Sequence, residues 1–219
     1  MLILVLDAST PVVAVALAEE GEVRAEISTS AHGASEALLP AVHAALNLAG
    51  NDLASVERLL VGVGPGTFTG IRIAAATARA LSLGTGAALS KNSTLAALAA
   101  PALSCHTDVL AVLDARRGQV FARRFSGADT TTEILCVKPE ELSSEGAPLI
   151  VGDGAVRYRK ALSPLGRIPP DDSPLHRVTA TGHVLSANLT PVGAEELVPI
   201  YVREPDAEVR RGLNPWSRP

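Results

Sequence analysis

The sequence predicts an α/β fold of two lobes, each a mixed sheet flanked by helices, on three observations. Apolar strand-like runs alternate with helical patterns along the 219 residues. A strand, acid, turn and strand unit occurs twice, as "LVLDASTPVVAVAL" at residues 4–17 and "AVLDARRGQVFARR" at 111–124. Asp7 and Asp114 hold the same place in the two copies, which points to an internal duplication. A glycine-rich turn carrying Gly62, Gly64, Gly66 and Gly70 joins an apolar run to an alanine-rich one. Two lobes, each opening with a hairpin whose first strand ends in an aspartate, describe the sugar kinase, Hsp70 and actin architecture, that is, the actin-like ATPase fold. The expected division puts the first lobe at residues 1–102 and the second at 103–219.

The elements follow in order. "LILVL" is a continuous apolar strand, "DASTP" a turn, and "VVAVAL" the returning strand. "EEG" makes a second turn before the strand "EVRAEIS". Ser35 is expected to cap a helix to Ala49, with Leu38, Val42, Leu46 and Ala49 on one face and Gly50 as its stop. A short helical piece at 51–57 leads into a strand at 59–63, the glycine turn, and a helix over about 69–83. "APALSCHT" at 100–107 reads as a linker into the second copy. There, "EILCV" is a strand, "KPEEL" a helix start and "PLIVGDGA" a strand running into a loop. Helices are expected at 155–162 and 179–189, ahead of a tail that ends without regular structure.

Composition narrows the function class. Hydrophobic residues make up 47% and the net charge is -4, enough apolar content for substantial cores and no general basic surface for nucleic acid. "MLILVLD" lacks the basic start and length of a signal peptide, and no uncharged run approaches the ~20 residues of a membrane span, so a cytoplasmic protein without membrane contact is expected. Cys105 and Cys136 have no CxxC spacing; a disulfide between them is one reading, and two buried thiols in a reducing cytoplasm the favoured one. Aromatics are only 3%, so Ala, Leu and Val must build the core.

The glycine turn fails both common phosphate templates. It has no lysine at the P-loop position, Lys91 being the nearest downstream. Its Gly64-x-Gly66-x-x-x-Gly70 spacing is one residue too long for the dinucleotide fingerprint. Two readings stay open: a tight packing turn in which Thr67 or Thr69 caps the following helix, or a backbone contact to an anion. Asp7 with Ser9 and Thr10, Gly64 and Gly66, and Asp114 form a candidate vestigial nucleotide site; the competing reading is that each acid caps its own turn. Arg116 and Arg117 follow Asp114 where a phosphate pocket needs room, which favours the turn-cap reading there.

"LVLDAST", "GVGPGTFTGIRIAAATARALSLG" followed by "STLAALA", "VLDARRGQVF", "VGDGA" and "PIYVRE" occur in the order found in the TsaB (YeaZ) family, and the chain resembles that family over nearly its whole length. The resemblance implies the actin-like two-lobed fold. It also implies a non-catalytic role in making N6-threonylcarbamoyladenosine in tRNA, as dimerisation partner of the catalytic subunit TsaD and together with the ATPase TsaE. A homodimer when alone, and contact with tRNA through the complex, are implied as well.

The catalytic relative TsaD carries a His-x-x-x-His metal pair on the helix after the glycine turn's own helix. Here that place reads "STLAALAAP", and no two of His32, His43, His106, His176 and His183 stand four apart. His32 reads as a loop residue, and no GxSxG nucleophile elbow exists. No catalytic residue, metal or cofactor is therefore expected. The alternative is an independent ATPase or small-molecule kinase of actin-like fold; a peptidase has neither nucleophile nor metal ligands to work with.

The helix after the glycine turn is the expected partner-binding element, through Ile71, Ala74, Ala75, Ala76, Ala78 and Arg79. It shows two small apolar stripes, Ile71, Ala74, Ala75 and Ala78 on one side and Ile73, Ala76, Ala80 and Leu83 on the other. One stripe suffices to pack on a sheet, leaving the second for a partner helix. Arg203, Arg210, Arg211 and Arg218 in the tail form a candidate basic arm for tRNA, although Glu204, Asp206 and Glu208 offset much of its charge.

Overall fold

Strand β1 (Leu2–Asp7) is buried at every residue, as its unbroken apolar run requires of a strand covered on both faces. In the computed structural model, which describes residues 1–30, 33–126, 129–130 and 132–202, β1 lies at the centre of a five-stranded mixed sheet. It pairs antiparallel with β2 (Val13–Glu19) and parallel with β4 (Arg58–Gly62). The sheet runs β3-β2-β1-β4-β5, with β3 (Glu22–Thr29) and β5 (Ala88–Asn92) at its edges. Edge strand β3 carries the polar residues that the central strands exclude.

Two helices cover one face of this sheet. Helix α1 (Ala34–Ala49) buries Ala37, Leu38, Ala41, Val42, Ala45 and Leu46 at helical spacing and stops at Gly50, whose φ of 66° is left-handed. Its N-cap is Gly33; Ser35, expected as the cap, sits inside the first turn. The expected helical piece at 51–57 contracts to a 3-10 turn at Leu53–Ser55. Helix α2 (Phe68–Thr85) buries Gly70, Ile71, Ala74, Ala75 and Ala78 and ends at Gly86, φ 79°. Inside its last turn, a Cβ on Gly84 would meet no heavy atom within 4 Å. Gly84→Ala is therefore expected to stabilise the protein by about 0.5–1 kcal/mol, read as a higher urea midpoint at unchanged slope.

Helix α3 (Thr94–Leu103) is buried almost all round. The stretch expected to be a linker from residue 100 is thus helical through Leu103. Pro101 removes one intrahelical bond, the one Ala97 O would accept. That carbonyl instead faces Gly182, where a Cβ would overlap it, so only glycine permits the approach. Leu95, Leu98, Ala99 and Ala102 of α3 join the apolar cluster of the second sheet, with Val109, Ala111 and Leu113.

The second sheet repeats the plan of the first. Strands β6 (Asp108–Arg116) and β7 (Gln119–Ser126) form the hairpin, with β8 (Asp129–Thr130) and β9 (Leu135–Val137) both pairing with β7. Strand β10 (Leu149–Val151) lies parallel to β6 as β4 does to β1. Asp7 stands opposite Ala14 and Asp114 opposite Val120, so the acids hold equivalent places in the two hairpins, although β6 runs two residues past Asp114 through a register shift. "KPEEL" yields a 3-10 turn at Pro139–Glu141. The helix expected at 155–162 is two, α4 (Asp153–Arg157) and α5 (Arg159–Leu162), broken at Tyr158 with φ -110°. The last expected helix shortens to α6 (Ala180–Leu185).

Beyond α6 the chain returns to the first sheet. Arg58 Nη1 donates to Leu189 O at 2.7 Å, Val192 bridges Leu89, Arg79 Nη2 donates to Leu197 O at 2.8 Å, and Ile200 N donates to Val63 O at 2.8 Å. Leu197 is fully buried in the first cluster. Among the described residues, no helix is long and apolar enough to cross a membrane. His32 and the tail arginines Arg203, Arg210, Arg211 and Arg218 lie outside the described residues.

Candidate functional site

The glycine turn between β4 and α2 lies directly on the β1–β2 turn. A Cβ on Gly62 would overlap the Asp7 carboxylate, one on Gly66 the carbonyl of Ser9, and one on Gly70 the carbonyl of Ala8. Thr67 N donates to Ser9 O at 2.6 Å, tying the two turns together. Gly66 and Gly70 are thus required by backbone meeting backbone and Gly62 by the Asp7 carboxylate, and the space in front of Asp7 is filled by the protein itself. Thr67 stands at the N-cap of α2, yet its hydroxyl accepts no capping bond and points to Ala8 O at 3.4 Å; Thr69 is already helical. Gly64 adopts φ +99° ahead of a cis bond to Pro65, and its carbonyl accepts from Thr94 N at 2.8 Å.

Asp7 is fully buried, and both of its oxygens are engaged. Oδ1 accepts from Ser9 N at 2.9 Å and from Ser9 Oγ at 2.7 Å. Oδ2 lies 2.8 Å from Nε2 of His183, a residue of α6 that is also fully buried. With its proton on Nε2, the ring donates to Asp7 while Nδ1 accepts from Asn92 Nδ2 at 3.2 Å. Asn92 in turn donates to Ser186 Oγ at 2.8 Å. Thr10 Oγ1 is turned inward on its own loop, to Val12 O and N. Asp7 therefore faces the protein interior, with Ser9 turned onto it and Thr10 onto its own loop. His183 escaped sequence reasoning: no spacing rule connects residues so far apart in the chain.

Asp114 makes the same local turn, its Oδ1 accepting from Arg116 N at 2.9 Å. Oδ1 also accepts from Tyr158 OH at 3.3 Å, while Oδ2 pairs with Arg116 Nη1 at 3.4 Å and Arg157 Nε at 3.6 Å. Asp114 N donates to Asp153 Oδ1 at 3.0 Å. Desolvation pushes the Asp153 carboxyl above the usual carboxylate range, the Asp114 charge adding to it and the N–H groups of Asp114 and Gly154 opposing. Gly152, φ +113°, presses on the carbonyl of Val112, so this loop too is closed against its own sheet. Among the described residues, no three His, Cys, Asp or Glu side chains gather as a metal would need.

Helix α2 resolves its two stripes. Ile71, Ala74, Ala75 and Ala78 are buried against the sheet, so these four, expected to bind a partner, cannot line a docking surface. Both stripes carry small apolar side chains, and the pattern alone did not distinguish inward from outward. Ala76, Arg79 and Ala80 are exposed, and Leu83 is 90% exposed on the same outward side. At the start of the helix, the Arg72 guanidinium lies 3.5 Å from the Phe68 ring centroid. Arg72 Nε also donates to Tyr201 OH at 2.7 Å. Phe68 and Tyr201 are both partly exposed, an aromatic edge to this surface that sequence reasoning missed.

Residues 15–147 match the family model described as "TsaD: tRNA N6-adenosine threonylcarbamoyltransferase". The chain is 37% identical over 123 residues to the Escherichia coli tRNA threonylcarbamoyladenosine biosynthesis protein TsaB, a match spanning 55% of this chain and 53% of that protein. An uncharacterised Mycobacterium tuberculosis protein is 29% identical over 211 residues, 94% of this chain and 93% of its own. Among solved structures, YeaZ from Pseudomonas aeruginosa superposes with a TM-score of 0.79 at 25% identity, covering 91% of this chain and all of that one. The ethanolamine utilization protein EutJ from Carboxydothermus hydrogenoformans shares the fold at a TM-score of 0.51 and 13% identity, over 85% of this chain and 89% of its own.

Proposed function

Since the chain belongs to the TsaB family, within the group described by the threonylcarbamoyltransferase model and on the two-lobed actin-like ATPase fold, we propose that it is a non-catalytic subunit of the machinery making N6-threonylcarbamoyladenosine in tRNA. Its partner is the TsaD subunit, with TsaE joining a larger assembly and tRNA reached through the complex. The non-catalytic role is supported by the glycine turn: it is packed shut on β1–β2, and Asp7 is sealed against Ser9 and His183. The two lobes of this reading divide near residue 102 by the sequence repeat, the first presenting the docking helix, while α3 packs into the second lobe's core and the chain after α6 into the first's.

The observation that carries the docking role is that α2 gives one apolar stripe to its own core and leaves Ala76, Ala80 and Leu83 of the other exposed, with Ile73 half-buried at its edge. Alanines at the contact let a partner helix approach to the short end of the ~8–10 Å interaxial range. Phe68 and Tyr201 supply the aromatic anchors that interfaces of standard size, roughly 1,600 Å², depend on. The same face serves a second copy when the chain is alone. Ala76→Arg places a long cation in that contact without touching the core, since Ala76 is exposed. Binding of the TsaD subunit, measured by calorimetry, is expected to weaken at least about tenfold (~1.4 kcal/mol) while the circular dichroism spectrum is unchanged. Undiminished binding by a folded variant would place the interface elsewhere.

A further inference from the structure

The β6–β7 turn carries a charge pattern that neither the closed glycine turn nor the α2 surface explains. Arg116 and Arg117 have φ of +64° and +54°, followed by Gly118 at +75°. Arg116 pairs with Gln119 across the turn, so Arg117 and Gly118 are its two central residues, and the register slips between Asp114 and Arg116. A two-residue turn with both central φ values positive favours Asn-Gly or Asp-Gly; a bulky residue there is disfavoured by roughly 1 kcal/mol or more. Two consecutive arginines in this conformation place cations at the tip against backbone preference. Around Gly118 the tip is open, with no heavy atom within 4 Å of a Cβ position.

A third arginine stands beside them. The side chains of Arg116 and Arg157 are 61% and 60% exposed, and both reach the same Asp114 carboxylate, which is only 6% exposed. Their contacts with it, at 3.4 and 3.6 Å, are long. The acid engages one nitrogen of each guanidinium, Nη1 of Arg116 and Nε of Arg157, while both side chains stay more than half exposed. Arg157 also lies over the Tyr158 ring, 5.7 Å from its centroid. Arg116 and Arg157 meet at this carboxylate, and with Arg117 next in the turn they outnumber the two acids beside them, Asp114 and Asp153, on a chain whose net charge is -4.

We propose that Arg116, Arg117 and Arg157 form a contact for the phosphodiester backbone of RNA. The inference rests on the tRNA-modification reading above, and it names a surface of this chain that touches the substrate directly. An exposed hairpin tip bearing planar guanidiniums suits an extended polyanion that the tip can lie against, since no enclosing loop is needed.

The turn geometry supplies the test. Asparagine tolerates the left-handed region that Arg116 and Arg117 occupy, so Arg116→Asn with Arg117→Asn removes two charges and relieves the backbone together. Thermal unfolding of this double variant is expected at the wild-type midpoint or above it. An unmodified tRNA transcript is titrated with the TsaD subunit alone, with the wild-type complex and with the variant complex across a potassium chloride series. The wild-type complex is expected to show a steeper dependence of log Kd on log salt than the TsaD subunit alone. The double variant is expected to lose roughly 1–2 units of that slope, at about 0.7–0.9 per phosphate contact, and to bind about tenfold more weakly at low salt. Arg116→Lys with Arg117→Lys is expected to keep the slope. Equal slopes for wild-type and Asn variant complexes overturn the proposal. So does a variant whose calorimetric affinity for TsaD falls while its RNA slope stays, which would make the tip a protein contact. Failure of the wild-type chain to bind TsaD at all is a separate result, striking the reading of function itself.

Discussion

Gly70→Ala is expected to destabilise the protein by about 3 kcal/mol or more, lowering the thermal midpoint by roughly 6–12 °C. A Cβ at this position overlaps the carbonyl oxygen of Ala8 and crowds its carbon at 2.9 Å. Both obstacles are backbone, and no rotamer change removes them. Helix α2 must instead move away from the β1–β2 turn, stretching the 2.6 Å bond from Thr67 N to Ser9 O and loosening Ile71 and Ala74 from the core. Urea unfolding checks this, with Gly84→Ala in the same helix as the contrasting case. A loss under about 1 kcal/mol for Gly70→Ala would mean that the turn-on-turn contact is looser than described.

His183→Ala carries the second large effect, a loss of about 3–5 kcal/mol. It strips Oδ2 of Asp7 of its ring partner inside a site with no solvent access, leaving Ser9 as the carboxylate's remaining side-chain partner. It also leaves Asn92 without its Nδ1 acceptor and removes one tie between α6 and the first sheet. Another tie survives, since Ala180 N and Thr181 Oγ1 both donate to Glu26. Combining His183→Ala with Asp7→Asn removes the stranded charge and is expected to recover part of the loss. If the double variant is as unstable as His183→Ala alone, packing and not charge burial sets the cost.

Much of the fold was legible because its signals are local. The run from Leu2 to Leu6, the echo of Leu-Asp-Ala at Asp7 and Asp114, and the glycines after β4 each announce an element within a few residues. Errors arose where tertiary context decides. The stretch from residue 100 read as a linker, yet α3 runs on to Leu103, with Leu98, Ala99 and Ala102 packed into the second cluster. The inward stripe of α2 was chosen by the sheet beneath it, and nothing in two runs of small apolar residues marks which one that is. The glycine turn looked able to hold an anion; what closes it is Asp7, Ala8 and Ser9, more than fifty residues earlier. His183 had no signal at all, since its partner is at the opposite end of the chain. Arg116 and Arg117 were visible as obstacles to a phosphate pocket, but only dihedral angles show them held in a conformation arginine disfavours.

The exchange of segments between the sheets bears on how far each half can vary by itself. Helix α3 leaves β5 to fill the second apolar cluster, while the chain after α6 travels back to lay Leu197 into the first. A cut at residue 102 would take the second cluster's helix with the wrong half and strip the first of its closing segment. Neither half of the chain therefore carries a complete core of its own. Substitutions at Ala97 are judged by Gly182, and those at Val63 by Ile200. The two halves therefore constrain one another's sequence, residue against residue, across the length of the chain.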